Sequence, residues 1–284
     1  MKDLLLRFGK RLLPPALRFH IRTLRHCIPV QLAYLRRGEP RKALRGFRLC
    51  GDVLANSLSA VGLLKPRREC EFCGWTGYKF SALYYVDCYH DEAFCPACRL
   101  LDRYRTLLHF ARNSEWGRQI KQRQPRVLDI APTEVSAEML RREFGAREVI
   151  GFDISNPWAT VIGDLQRMDF ESGSFDLIVC YEVLDYIPRD DLALAEMFRV
   201  LKPGGSALVQ VGFDTQLEKT VEYSQPDPDD SLHIRRYGMD LFEKIRAAGF
   251  DYELVEKAGR ANEADRVRFG LDASPFILLS RPTL

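Results

Sequence analysis

The chain has 284 residues, 46% of them hydrophobic and 29% charged, the balance of an ordinary soluble globular protein. No apolar run approaches the roughly 18–20 residues that span a bilayer, which argues against a transmembrane protein. The net charge of +3 hides an asymmetry. Residues 1–68 hold 16 Lys/Arg against 3 Asp/Glu, while residues 69–284 hold 26 against 36. A basic arm on an acidic body points to an anionic partner for the arm, or to packing of the arm on the body.

Leu4-Leu5-Leu6 is too short an apolar core for a signal peptide, and arginines interrupt the stretch after it. Leu4, Leu5, Phe8 and Leu12 share a helical face, Pro14-Pro15 breaks that helix, and a second begins there. Leu17, Ile21, Leu24 and Ile28 then form an apolar stripe beside Arg18, Arg22 and Arg25. Such helices suit an anionic membrane surface met through residues 1–30, a nucleic-acid backbone, or a solvated helical cap. Residues 38–65 read as helical without evident chemistry.

At Cys70 the texture changes. Cys70-Glu-Phe-Cys73-Gly-Trp-Thr-Gly77 and Phe94-Cys95-Pro-Ala-Cys98 form two Cys-x-x-Cys pairs with 21 residues between Cys73 and Cys95. Four thiolates presented by two such knuckles suit a closed structural zinc site. Cys88 and His90 lie between the pairs as substitute ligands, and Cys27, Cys50 and Cys180 read as small hydrophobes. In a chain without a secretion signal this pattern favours metal over disulfides and a cytoplasmic location, with peripheral contact to the inner face of the membrane as one reading of the arm. Arg99 to Ile120 then reads as one long helix.

From Arg126 to Phe213 short apolar runs alternate with polar, helix-length stretches, as in a parallel sheet buried on both faces. Arg126-Val-Leu-Asp-Ile130, Glu148-Val-Ile-Gly-Phe-Asp153, Thr160-Val-Ile-Gly-Asp164 and Ser174 to Tyr181 are its strands. Leu201-Lys-Pro-Gly-Gly205 stops a helix that begins near Asp190, and Ser206 to Val211 is the fifth strand. Asp214 to Ser231 reads as a lid-like loop, a helix runs from Asp240 to Ala248, and Phe276 to Leu279 is a last strand. Ligands of such sheets bind beyond the carboxyl ends of the strands, where Asp129, Asp153 and Asp164 fall. The predicted fold is α/β, with a basic arm (1–68), a ribbon and linker helix (69–120) and a sheet domain (121–284).

Asp153, Gly163-Asp-Leu-Gln-Arg-Met-Asp-Phe170, Phe175-Asp-Leu-Ile-Val-Cys-Tyr-Glu-Val-Leu-Asp-Tyr-Ile187 and Arg199-Val-Leu-Lys-Pro-Gly-Gly205 occur in that order. Together they resemble the class I S-adenosylmethionine-dependent methyltransferases, which implies a Rossmann-like doubly wound sheet. With the cysteine knuckles and the Arg-Tyr-Arg-rich helix, the chain resembles a bacterial subgroup bearing an N-terminal zinc ribbon, part of which the resemblance ties to surface-glycan assembly. It implies S-adenosylmethionine as cofactor, held by seven residues. Asp129 is placed to attract the methionine ammonium. Ala131, followed by Pro132 outside that set, stands where the family usually has glycines. Asp153 would accept from the ribose hydroxyls and Ile154 would cover one adenine face. Asp164 would accept from the adenine amino group, the Leu165 backbone would meet the ring edge, and Tyr181 faces the place of methyl transfer. On the acceptor side His233-Ile-Arg-Arg-Tyr-Gly238 resembles the same subgroup. There His233 would be a general base, Arg235 an anion ligand and Tyr237 a positioning group, unless the three simply anchor the loop. The expected acceptor is a small-molecule or glycan-linked hydroxyl. An RNA methyltransferase with a zinc-ribbon RNA module and a non-catalytic binding protein are the alternatives.

Overall fold

The computed structural model describes residues 28–38, 40–85, 88–227, 232–256 and 260–283. The stripe from Leu17 to Leu24, its arginines and Cys27 therefore lie outside the described residues. The chain divides into two compact units, Met1–Arg105 with Asn262–Leu271, and Thr106–Ala261 with Asp272–Leu284. Among the described residues no helix is long and apolar enough to cross a membrane.

The first unit begins with helical residues 28–36 (α1) and a long helix, α2 (Pro40–Ala60). Two small antiparallel pairs come next, β1 (Arg68–Glu69) with β2 (Thr76–Gly77) and β3 (Ser81–Tyr85) with β4 (Cys88–Phe94). The predicted single helix after Cys98 is two helices, α3 (Asp102–Asn113) and α4 (Glu115–Arg123). The break has a local cause. The Ser114 hydroxyl accepts from the Gly117 amide at 3.1 Å and so starts a new helix, and Gly117 lets the backbones close up, since a Cβ there would fall 2.0 Å from the Ala111 carbonyl oxygen.

The second unit is built on a seven-stranded sheet. Five strands run parallel: β5 (Arg126–Ile130), β6 (Glu148–Asp153), β7 (Val161–Ile162), β8 (Phe175–Tyr181) and β9 (Leu201–Gln210). Between them lie α5 (Ser136–Phe144) after β5 and α6 (Asp190–Val200) after β8. Past β9 the stretch read as a lid-like loop contains β10 (Val221–Asp227), which pairs antiparallel with β11 (His233–Arg236). The pairing is supported by Arg235 Nε, which donates to Glu222 Oε1 at 2.9 Å across the two strands. Helix α7 (Leu241–Ala247) and β12 (Asp251–Val255) come after it; α8 (Glu263–Phe269) belongs to the first unit, and β13 (Phe276–Ser280) closes the sheet. The order is β12-β13-β9-β8-β5-β6-β7, with β13 antiparallel to both its neighbours. This is the Rossmann-like doubly wound architecture. Strand β5 has β6 on one side and β8 on the other, so the sheet changes direction of growth there and opens a crevice at the strands' carboxyl ends.

The first unit turns on a buried cation. Arg105 is 2% exposed and lies over the Phe80 ring at 3.9 Å. Its Nη2 donates to the carbonyls of Glu92 (2.7 Å) and Gly270 (2.6 Å), its Nη1 to that of Leu100 (3.1 Å) and its Nε to that of Phe269 (3.1 Å). The planar fork thus ties β4, the second cysteine knuckle and the returning C-terminal segment together. Arg105→Lys keeps the charge but not the fork, and should destabilise this unit by about 2–4 kcal/mol. Urea unfolding with hydrogen exchange on residues 92–100 measures this; protection and midpoint both unchanged would contradict the assigned role.

Candidate functional site

The turn after β5 places Ala131 in the left-handed region at φ 53°, where glycine is usual. Its amide donates to the Phe152 carbonyl at 2.9 Å, which stitches the turn to β6. Pro132 is buried against β6. Its Cγ takes the space left by Gly151 on β6, where a Cβ would come within 3.0 Å of it. The glycine on the next strand thus makes room for the proline ring of the turn. Thr133 and Ser136 cap α5 reciprocally, each amide donating to the other's hydroxyl at 2.9 and 3.2 Å.

Asp129 is completely buried near the end of β5. Asp153 ends β6, and its Oδ1 accepts from the Ser155 and Asn156 amides at 2.8 and 2.9 Å, which shapes the adjoining loop; neither bond uses Oδ2. Ile154 beside it is 70% exposed, unusual for an isoleucine in an ordered turn. Asp164 is exposed, and Gln166 donates to it from both backbone and side chain, which holds its carboxyl below the usual range; Leu165 is buried. Tyr181 is buried at the end of β8.

Next to Tyr181, Glu182 is also left-handed, at φ 56°, and its amide donates to Gln210 on β9. The short 3-10 turn after it (Leu184–Tyr186) carries Asp185, fully buried, whose Oδ1 accepts from the Gly212 amide at 3.1 Å. His233 on β11 comes to the same point. One ligand atom each from Glu182, Asp185 and His233 lies within 4.8 Å of the others, and Tyr186 meets the His233 ring edge-on at 4.8 Å. The acids also act on buried Cys180, whose thiol is pushed well above its ordinary value by burial first, then by the charges of Asp185, Asp129 and Glu182. Asp129, Glu182 and Asp185 thus gather around Cys180 at the carboxyl ends of β5 and β8, and His233 meets the last two. Such a site suits a cationic ligand, and its acid–imidazole pairing suits proton transfer. Sequence reading missed Glu182 and Asp185. Their three-residue spacing after a strand end was the available signal.

Arg235 and Tyr237 hold the turn rather than opening to a cleft. Arg235 Nη1 donates to the Leu184 carbonyl at 3.0 Å and Nη2 to that of Pro188 at 3.1 Å. Tyr237 is fully buried and its hydroxyl donates to Asp190 Oδ2 at 3.0 Å, which Lys244 also meets at 2.7 Å. Burial, then the adjacent Asp190 carboxylate, holds the Tyr237 phenol well above its ordinary range, so it keeps its proton at neutral pH.

In the first unit the four cysteines converge. Cys70 and Cys98 sulfurs lie 3.7 Å apart, and so do those of Cys73 and Cys95. Metal–sulfur bonds of about 2.3 Å in a tetrahedron give edges of about 3.8 Å, so the donor set fits a tetrahedral ion such as zinc. The knuckles repeat one design. Gly74 and Arg99 amides donate back to Cys70 and Cys95 carbonyls at 2.9 and 2.8 Å, with Gly74 at φ 73° and Arg99 at φ 65°. His90 is not part of this set; its Nε2 pairs with Asp102, while the Cys88 side chain lies outside the described residues. Burial pushes the Arg105 guanidinium down, while the charges of Asp102, Cys70 and Cys95 oppose that.

The left-handed alanine can be tested directly. Ala131→Gly should leave the fold intact and raise stability by up to about 1 kcal/mol, because the backbone penalty disappears while the unfolded chain gains freedom. Chemical denaturation reads this, and a loss above about 1 kcal/mol would mean that the methyl group makes packing contacts the turn needs.

Residues 116–209 match the family described as a methyltransferase domain. A sterol 4-C-methyltransferase of Caenorhabditis elegans is 35% identical over 37% of this chain and 27% of its own length. Norajmaline N-methyltransferase of Rauvolfia serpentina is 25% identical over 43% of this chain and 37% of its own. The chain thus spans well under half the length of these curated relatives. Among solved structures, the YcgJ protein of Bacillus subtilis is similar over 61% of this chain and 98% of its own, at 17% identity and a TM-score of 0.39. The family match falls on β5 to β9, the strands that deliver Asp129, Asp153 and Tyr181, and over this stretch the chain is a methyltransferase domain of the class I S-adenosylmethionine-dependent type.

Proposed function

We propose that the chain transfers the methyl group of S-adenosylmethionine to a hydroxyl of a small-molecule or glycan-linked acceptor, and that its four-cysteine cluster holds a structural zinc. The observation that carries the first reading is the convergence of Glu182, Asp185 and His233 just past β8, beside the strand that carries buried Asp129. When bound, the cofactor supplies an electrophilic methyl group on a sulfonium. In this reading Asp129 draws in the methionine ammonium, Asp153 Oδ2 accepts from the ribose, Ile154 lies under the adenine, and Asp164 with the Leu165 backbone meets its edge. Tyr181 packs beside the methyl group.

A hydroxyl acceptor must lose its proton as its oxygen attacks, whereas a neutral amine can attack as it stands. His233, flanked by Asp185 and Glu182, is suited to take that proton, and the two carboxylates steady the imidazolium. Tyr237 and Arg235 act at one remove by holding the 184–190 turn. The curated relatives named above are methyltransferases of a sterol and of norajmaline, which supports a small molecule over RNA as acceptor.

Calorimetry should detect S-adenosylhomocysteine binding to the wild-type chain. Asp153→Ala removes charge-assisted hydrogen bonds worth about 1.5–3 kcal/mol each and should weaken binding at least tenfold. His233→Gln should bind the product as wild type does while methyl transfer, followed with isotope-labelled cofactor over a panel of hydroxyl acceptors, falls about 100-fold or more. Absence of binding heat in the wild type would favour a non-catalytic binding protein, and labelling of RNA alone would favour the RNA reading.

For the metal, elemental analysis should find one zinc per chain, and Cys95→Ser/Cys98→Ser should lose it and expose the ribbon to protease. A closed site has no catalytic position, so activity should track folding alone. Full retention of zinc in the double variant would mean that other ligands hold it.

A further inference from the structure

Helices α1 and α2 carry an amphipathic face that neither the crevice nor the cysteine cluster uses. The inner face of α2 is fixed by specific contacts. Asn56 Nδ2 donates to the Lys79 carbonyl at 2.7 Å, and its Oδ1 accepts from the Tyr78 and Lys79 amides at 2.8 and 2.9 Å. Lys79 also meets Asp52 at 3.2 Å. Gly46 admits the Gln31 side chain of α1, because a Cβ there would fall 1.9 Å from Gln31 Cδ. Ala43, Gly46, Val53 and Asn56 are accordingly buried.

With that face pinned, the flank beside it stays turned out. Leu44, Phe47 and Leu54 stand at i, i+3 and i+10, within one narrow stripe of the helix, and Leu44 and Leu54 are 59% and 54% exposed. In α1, Ile28, Leu32 and Leu35 stand at i, i+4 and i+7 and are also exposed. Half of the exposed large apolar side chains among the described residues lie between residues 28 and 63. A surface concentration of that kind marks an interaction site rather than scatter. Between residues 36 and 52 the sequence holds six Lys/Arg against Glu39 and Asp52, and Asp52 is already paired with Lys79. Arg36, Arg37 and Arg48 are exposed.

Charge decides among occupants. A second copy would bring like charges together across the face. A nucleic acid would engage the cations and leave the leucines in water. An anionic lipid surface takes both, the apolar side chains at the headgroup boundary and the cations among phosphates. We propose that α1 and α2 form a peripheral docking face for an anionic phospholipid bilayer. The proposal is independent of the methyl-transfer reading.

The test is co-sedimentation of the full chain with vesicles of phosphatidylcholine alone and of phosphatidylcholine with phosphatidylglycerol. Wild type should sediment with the mixed vesicles only, and added salt should weaken binding without abolishing it, since the apolar stripe remains. Leu44→Glu/Leu54→Glu should bind at least about tenfold more weakly, with zinc content and thermal midpoint unchanged. Should that variant fold poorly, Arg36→Gln/Arg37→Gln/Arg48→Gln, which leaves the stripe intact, should show a comparable loss at low salt. Three results would overturn the proposal: wild type remaining in solution with mixed vesicles, folded variants sedimenting as well as wild type, or single-stranded RNA bound with a steep salt dependence while vesicles are ignored. A wild-type dimer in sedimentation velocity that Leu44→Glu/Leu54→Glu disperses, without lipid binding, would assign the face to a second copy instead.

Discussion

The parallel pairing of β5 with both β6 and β8 is the constraint on which the site depends. Asp129 lies opposite Gly151 on one side and Val179 on the other, so the strand is locked into the middle of the sheet. Crossovers of one hand, taken to opposite sides of β5, send the two connecting chain segments apart and leave the crevice open at its end. Every residue assigned to the cofactor leaves from that line of strand ends. The His233 imidazole arrives from β11, which Arg235 holds against the turn after β8.

Building this site has a cost that the fold sustains. Ala131 and Glu182, each just past a strand that borders the crevice, sit in the left-handed region at about 1–2 kcal/mol apiece. Asp129 and Asp185 are removed from water entirely. The amides of Ala131, Glu182 and Gly212 donate into neighbouring groups and offset part of it. Backbone strain and buried carboxyl groups concentrated at neighbouring strand ends suit a preorganised site.

Much of this was legible in the sequence. The apolar runs with terminal acids marked the parallel strands, and the paired cysteines with Gly74 marked the knuckles, because both patterns reflect local physics. The features that escaped are set by distant residues. The helix break at Ser114 depends on close backbone approach at Gly117. The role of Pro132 depends on Gly151 of the adjacent strand. Arg105 finds carbonyls at Phe269 and Gly270 that no local pattern announces. The Asp185–His233 neighbourhood forms only when β10 and β11 pair, and that segment reads as loop because its charges and prolines mask the alternation.

The chemistry assigned to this chain rests on the β5–β8 crevice holding an adenosyl cofactor with its cationic end beside Asp129. A crystal structure with S-adenosylhomocysteine would decide it. The ribose hydroxyls should fall on Asp153 Oδ2, the adenine against Ile154 and the amino group towards Asp129. A ligand bound away from these strand ends, or a crevice that stays closed to it at saturating concentration, would contradict that assignment.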